Sequence, residues 1–184
     1  MKDYFIKYRA FLQFLAVFLS SYLVLVGMYQ LYLGQYDSSE LEYDGFSNFV
    51  AEQTQSVLRF LDYNVQLSPS TFDPSVLVRV DGKAIVRIVE GCNAISVMIL
   101  FVAFILAFSN GFLKTFSFII AGILIIHVLN ISRIALLTIG IMKYPEYEHL
   151  LHGTIFPLII YGTVFALWIF WVTKFTTNVS KTTS

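Results

Sequence analysis

Four side chains in this sequence have types and positions suited to covalent chemistry. Cys92 is the only cysteine among 184 residues. It stands in "IVEGCNAIS", after an acid and a glycine and before a long apolar run. Arg133, in "VLNISRIALLTIG", is the one charge within the third apolar run. His149 and His152 lie in "EHLLHGTIF", three apart, so one helical turn puts them on one face. A thiol attacks as its thiolate, which a nearby cation favours. An imidazole can protonate a leaving amine, and a guanidinium can hydrogen-bond a developing oxyanion. Together these are the parts of a cysteine acyl transfer. Each has a plainer alternative. Cys92 can be a small buried hydrophobe, Arg133 a snorkelling interface cation, and the histidines amphipathic interface residues. The histidine pair has no third or fourth ligand at a zinc-like spacing, so no metal site is assigned. Glu90, two residues before the cysteine, and Asn130, in the same run as Arg133, are supporting candidates. His127, mid-run, is assigned a packing or hydrogen-bonding role.

The elements that must bring these residues together follow from composition. The chain is 57% hydrophobic and 13% charged, with mean hydropathy +0.72. Soluble domains carry about 25% charged residues, so this is a membrane protein. A formal net charge of zero excludes a nucleic-acid binder driven by a basic surface. A bilayer core needs roughly 20 apolar residues per helix. Such runs occupy 11–33, 93–109, 115–142 and 154–173. The first is too long for a signal-peptide core and reads as an uncleaved anchor. "NGFLK" makes a tight turn after the second. Pro157 falls in the first turn of the fourth, where a missing N–H costs least. The expectation is a mainly α, polytopic transmembrane bundle of about four spans.

Charge orients it. Lys2, Lys7 and Arg9 precede the first run, Lys114 lies in the turn, and Lys174 and Lys181 follow the last. The positive-inside rule makes all three segments cytoplasmic, with both termini inside. Segment 34–91 is then extracytoplasmic, with nine acids against four bases, a net −5. It reads as a small α+β insert. Helical spacing of apolar residues predicts a short amphipathic helix over 46–63. Two alternating runs joined by Asp81-Gly82 predict a hairpin over 76–89. The chain thus divides into an N-terminal end and first span (1–33), the insert (34–91), a core of three spans (92–174) and a cytoplasmic tail (175–184). In this arrangement Cys92 opens the second span's helix, whose macrodipole favours an anion. The apolar stretch beyond Arg133 points that side chain inward, towards other spans.

At these residues the sequence resembles the exosortase/archaeosortase family of integral membrane cysteine transpeptidases. The motifs are "EGCNAIS" before an apolar span, "NISRIALL" one span later, and a histidine opening the final span in "HLLHGTIFP". The compact form with a soluble insert is most similar to the exosortase F-like subgroup, and the resemblance covers about 85–175. It implies Cys92 as nucleophile, Arg133 as the substrate- or transition-state-orienting cation, and His152 as acid/base. His149 competes, because with Gly153 it forms an "HxxxG" pattern. The family's substrates are exported proteins with a C-terminal sorting signal: a motif, a transmembrane helix and a basic tail. Cleavage through a thioester would pass the protein to a lipid- or glycan-linked acceptor, without a cofactor, at the outer face of the bacterial inner membrane. The chain is shorter than the eight-span exosortases and lacks whatever their extra spans bind. Two other readings use the same residues: a non-catalytic polytopic binding or assembly protein, and a cysteine-dependent membrane acyltransferase.

Overall fold

The computed structural model describes residues 8–109 and 111–176. Lys2, Lys7 and Lys181, which entered the charge argument, lie outside them.

Helix α1, Arg9–Leu33, is apolar all round and buries only Tyr29. It lies along α3, Ile95–Ala107, with Phe14 against the rings of Phe104 and Phe108. Helix α4, Phe112–Lys143, returns after a turn in which Gly111 takes a positive φ of 79°. Helix α5, Phe156–Trp171, closes the bundle. The three helical elements α3, α4 and α5 share one core, with Met98, Phe101 and Ile105 meeting Ile126, Val164 and Trp171. Phe101 packs so closely on Gly122 that a Cβ there would lie 2.2 Å from its ring. At the turn end, Trp171 Nε1 donates to the Phe108 carbonyl at 3.0 Å and satisfies one orphan acceptor of α3.

Three helical stretches are long and apolar enough to cross a membrane: Arg9–Leu33, Phe112–Lys143 and Pro145–Lys174. The run expected as a span over 93–109 forms a helix of only 13 residues. At 1.5 Å per residue it is about 20 Å long, short of a bilayer core of about 30 Å. Its start is set by Ala94, whose φ of 66° cannot continue a helix. Apolar composition alone did not reveal that break. The last run also differs from expectation. Helical structure begins at Pro145, well before 154, yet Pro157 still falls in the first turn of the regular α-helix Phe156–Trp171. Just before it the helix widens over Leu151–Ile155, where the Phe156 N–H reaches back five residues to the Leu151 carbonyl. Pro157 has no N–H to return to the turn below, and a wide turn accommodates that loss.

The insert begins with α2, Gly45–Phe60, whose N-cap Asp44 accepts from the Ser47 N–H at 2.9 Å. It buries Val50, Ala51, Thr54 and Leu58 along one face. Three antiparallel strands follow in the order β1–β2–β3: Val65–Pro69, Val76–Val80 and Lys83–Ile88. Asp81 and Gly82 both have positive φ, 49° and 79°, as the tight two-residue hairpin turn requires. Strand β1 is additional to the expected hairpin. Its buried residues are few and it ends in proline, so its alternation is too short to read; an edge strand tolerates both. Arg59 and Gln55 of α2 hold it by donating to the Val65 carbonyl.

The insert's core is not its own. Val50, Leu58, Val76, Val78 and Ile88 pack with Ile134 and Ala135 of α4. Helix α4 is therefore about 48 Å long because its last turns form the central column of the insert.

Candidate active site

Strand β3 runs into a single 3₁₀ turn, Glu90–Cys92, closed by the Cys92 N–H on the Val89 carbonyl at 2.8 Å. Cys92 was expected to open a helix. It sits instead three residues before α3, whose first N–H is already taken by Asn93 Oδ1 at 2.9 Å. A dipole effect fades beyond the terminal turn, so the sulfur depends on its side-chain neighbours.

Two asparagines fix the cysteine. Asn130 of α4 donates from Nδ2 to the Cys92 carbonyl at 2.8 Å. Asn93, 1% exposed, donates from Nδ2 to the Tyr29 hydroxyl at 3.1 Å and the Ser47 hydroxyl at 3.3 Å. One residue thereby ties α1, α2 and the start of α3 together. Its bonds hold Ala94 in a left-handed conformation that costs a non-glycine residue about 1–2 kcal/mol.

Arg133 lies one turn beyond Asn130 on α4, on the same side. The apolar residues after it, expected to turn it towards the spans, serve the insert instead: Ile134 and Ala135 belong to the insert core. Arg133 is left at the seam between the two cores. Its Nε is buried without a hydrogen-bond partner, and no carboxylate pairs with it among the described residues. His152 projects from the widened turn Leu151–Ile155.

Cys92, Arg133 and His152 line one cavity of about 360 Å³, closed by Val97 of α3 and by Pro157 and Tyr161 of α5. No family model, curated protein or solved structure matches this chain. The likeness to exosortases accordingly rests on the quoted residues alone.

The remaining candidates divide. His149 does not line the Cys92 cavity; it opens on a separate hollow with Glu146, Glu148 and His152. Three helical residues leave about 60° between neighbouring side chains, enough to separate the two histidines. Glu90 does not line the cavity either, and its carboxylate lies beside the Tyr29 hydroxyl. His127 joins α4 to the insert: its Nε2 and Gln53 Oε1 are 2.7 Å apart, and Phe46 and Phe49 flank its ring at 5.8 Å. Among the described residues no three His, Cys, Asp or Glu side chains gather as a metal site. Sequence reasoning missed Asn93 and Tyr29. The available signal was an asparagine directly before an apolar run, a favoured helix-capping type.

The three cavity side chains share no direct hydrogen bond among the described residues. Catalytic hydrogen bonds commonly tighten only around a substrate. The arrangement offers a nucleophile, a proton carrier and an uncompensated cation around one space.

Proposed function

We propose that this chain is a membrane-embedded cysteine transpeptidase of the exosortase/archaeosortase type. The observation that carries the reading is the cavity itself. Three separate elements deliver Cys92, Arg133 and His152 to one cavity, and the guanidinium has no counter-ion among the described residues. A half-buried cation left unpaired is costly unless an anion arrives. An oxyanion formed on a carbonyl beside the sulfur would be that anion.

In the proposed reaction His152 takes the Cys92 proton, and the thiolate attacks a peptide carbonyl carbon. Arg133 receives the oxyanion. The C–N bond breaks as His152 returns the proton to the leaving amine, leaving an acyl thioester on Cys92. An acceptor amine or hydroxyl, or water, then attacks the thioester and gives its proton to His152. The thiolate leaves, regains that proton, and the enzyme is restored. His152 is favoured over His149 because only His152 lines the cysteine cavity.

The bundle supports four crossings despite the short α3. Asn130 meets Cys92 at one end, and Trp171 meets Phe108 at the other. Between those levels α4 advances about 27 Å, close to a bilayer core. The 3₁₀ turn and Asn93-Ala94 make up the length that α3 lacks. With the acidic insert outside and Lys114 inside, the site would face the extracytoplasmic side of a bacterial inner membrane, and the substrate would be a membrane-anchored protein with a C-terminal sorting signal.

The test is a comparison of the native protein with Cys92→Ala in the cell membrane. Mass spectrometry should find a hydroxylamine-labile acyl peptide on Cys92, and the variant should lose processing by roughly a thousandfold or more. Unchanged processing of the same membrane-anchored precursor in the variant would end the proposal. An acyl chain of lipid origin on Cys92 would assign the chain as an acyltransferase instead.

A further inference from the structure

A second cavity of about 470 Å³ also reaches Cys92 and His152, between the sheet and the last turns of α4. Ala84, Val86 and Arg87 of β3 form one wall, and Leu137 and Ile141 of α4 the other. Strand β3 is the last in the sheet order and pairs only with β2. An edge strand carries a row of unpaired N–H and C=O groups that templates another extended chain. The opposite edge differs, because α2 holds β1 through Arg59 and Gln55 on the Val65 carbonyl.

Edges without a partner are normally blunted by charge, proline or a bulge. Along its middle β3 carries only the last of these, a register shift at Ile85 between the pairs Val78–Val86 and Arg79–Ala84. The middle of β3 is Ala84-Ile85-Val86, uncharged, with Ala84 exposed. Its charged residues stand at the ends, Lys83 and Arg87, and Arg87 is drawn aside by Asp73 at 2.7 Å. The strand runs directly into the turn that holds Cys92. On the other side of the sulfur the first cavity is walled by residues of α3 and α5, among them Val97, Ile160 and Tyr161.

We propose that β3 is the substrate platform. The peptide segment that precedes the scissile bond docks along its free edge as a fourth strand, and the segment that follows passes the first cavity and enters the membrane alongside α3 and α5 as a helix. The assignment rests on the acyl-transfer reading and gives it a direction. The two cavities meet at Cys92, so the occupant must change from extended to membrane-embedded at the bond that is cut. A six-residue strand spans about 20 Å, so about six residues before the bond would be read. Backbone pairing would supply the grip, and alternate side chains reaching Leu77 and Leu137 would supply selection.

The experiment uses the full chain in its own membrane. A benzophenone amino acid replaces Ala84 or Ile141 in a Cys92→Ala background, with the exposed Ser56 as control position. The acyl peptide on native Cys92 is identified in parallel. Crosslinks from Ala84 and Ile141, absent from Ser56, should map within about six residues of the scissile bond on its N-terminal side. Ala84→Trp in the otherwise native protein should fill the groove and lower the Cys92 adduct by roughly tenfold. An acyl peptide on Cys92 together with crosslinks that miss this segment, or match the control, overturns the platform and leaves the transpeptidase standing. Crosslinks that map as expected without any Cys92 adduct keep the platform and overturn the covalent step. Absence of both overturns the platform.

Discussion

One helix passes through two different interiors. The first half of α4 packs Gly122 and Ile126 against Phe101 and leaves Phe116 and Leu124 exposed on the other side. Its second half packs Ile134 and Ala135 among residues of α2 and the sheet and leaves Leu136 exposed on the other side. Both halves are rich in apolar residues, so hydropathy does not separate them. They differ in what presses on them: large aromatic rings in the bundle, and small β-branched residues in the insert. The boundary falls at Asn130, which bonds the Cys92 carbonyl, and Arg133, which lines the candidate site. The site is the joint between two cores.

Substitutions in each core sharpen that contrast. The largest effect should come from Gly122→Leu. A side chain there would overlap the ring of Phe101, which is fully buried and has no space to retreat. Overpacking costs 1–3 kcal/mol and sometimes more, and a contact this close should collapse the bundle. Thermal unfolding in detergent, followed by the fluorescence of Trp168 and Trp171, checks it; an unchanged transition would contradict the packing. Both tryptophans lie in α5, so this signal reports the bundle alone. Leu58→Ala should cost about 2–5 kcal/mol, and the loss should stay in the insert. Limited proteolysis should then cut within 34–91 while the tryptophan signal holds. A simultaneous change in both would mean that the two cores unfold as one.

At the joint, Asn130→Leu removes the hold on the Cys92 carbonyl, which should cost about 1–3 kcal/mol. Acylation of Cys92 should fall while both cores keep their own transitions. Loss of either transition would make Asn130 a general folding residue. The smallest effect is a pH effect confined to the insert. The Ser75 hydroxyl, then Ser70, with Arg87 opposite, holds the Asp73 carboxyl below its ordinary value. The unfolded chain has the higher value, about 3.9. The added stability is therefore present above about pH 4 and is lost as pH falls through the folded value. Asp73→Asn should flatten the acid limb of insert unfolding and leave the tryptophan signal unaffected.

Much of this was legible in the residues. The alternation of Val76, Val78 and Val80 before Asp81-Gly82 specifies the hairpin, because only a few turn types close two strands so tightly. The helical spacing around Val50 and Leu58 specifies α2. The gathering of Cys92, Arg133 and a histidine at one level followed from counting residues along the runs. What hydropathy could not express was the role of single polar groups. Asn93 ends one element, begins another and joins α1 to both, and that function resides in partners distant in sequence. Strand β1 escaped because its fold depends on side chains of α2. The division of α4 escaped because lipid and protein select the same residue types.

The widened turn over Leu151–Ile155 has a further consequence. Such a turn holds one residue more than an α-turn, so the helix above it and the helix below it differ in rotational phase by about 100°. The side of α5 that meets α3 and α4 is thereby uncoupled from the direction in which His152 points. Sequence drift on the membrane face can proceed without re-aiming the histidine, whereas loss of a single residue inside the turn would swing it away from the sulfur and leave every other contact of α5 in place.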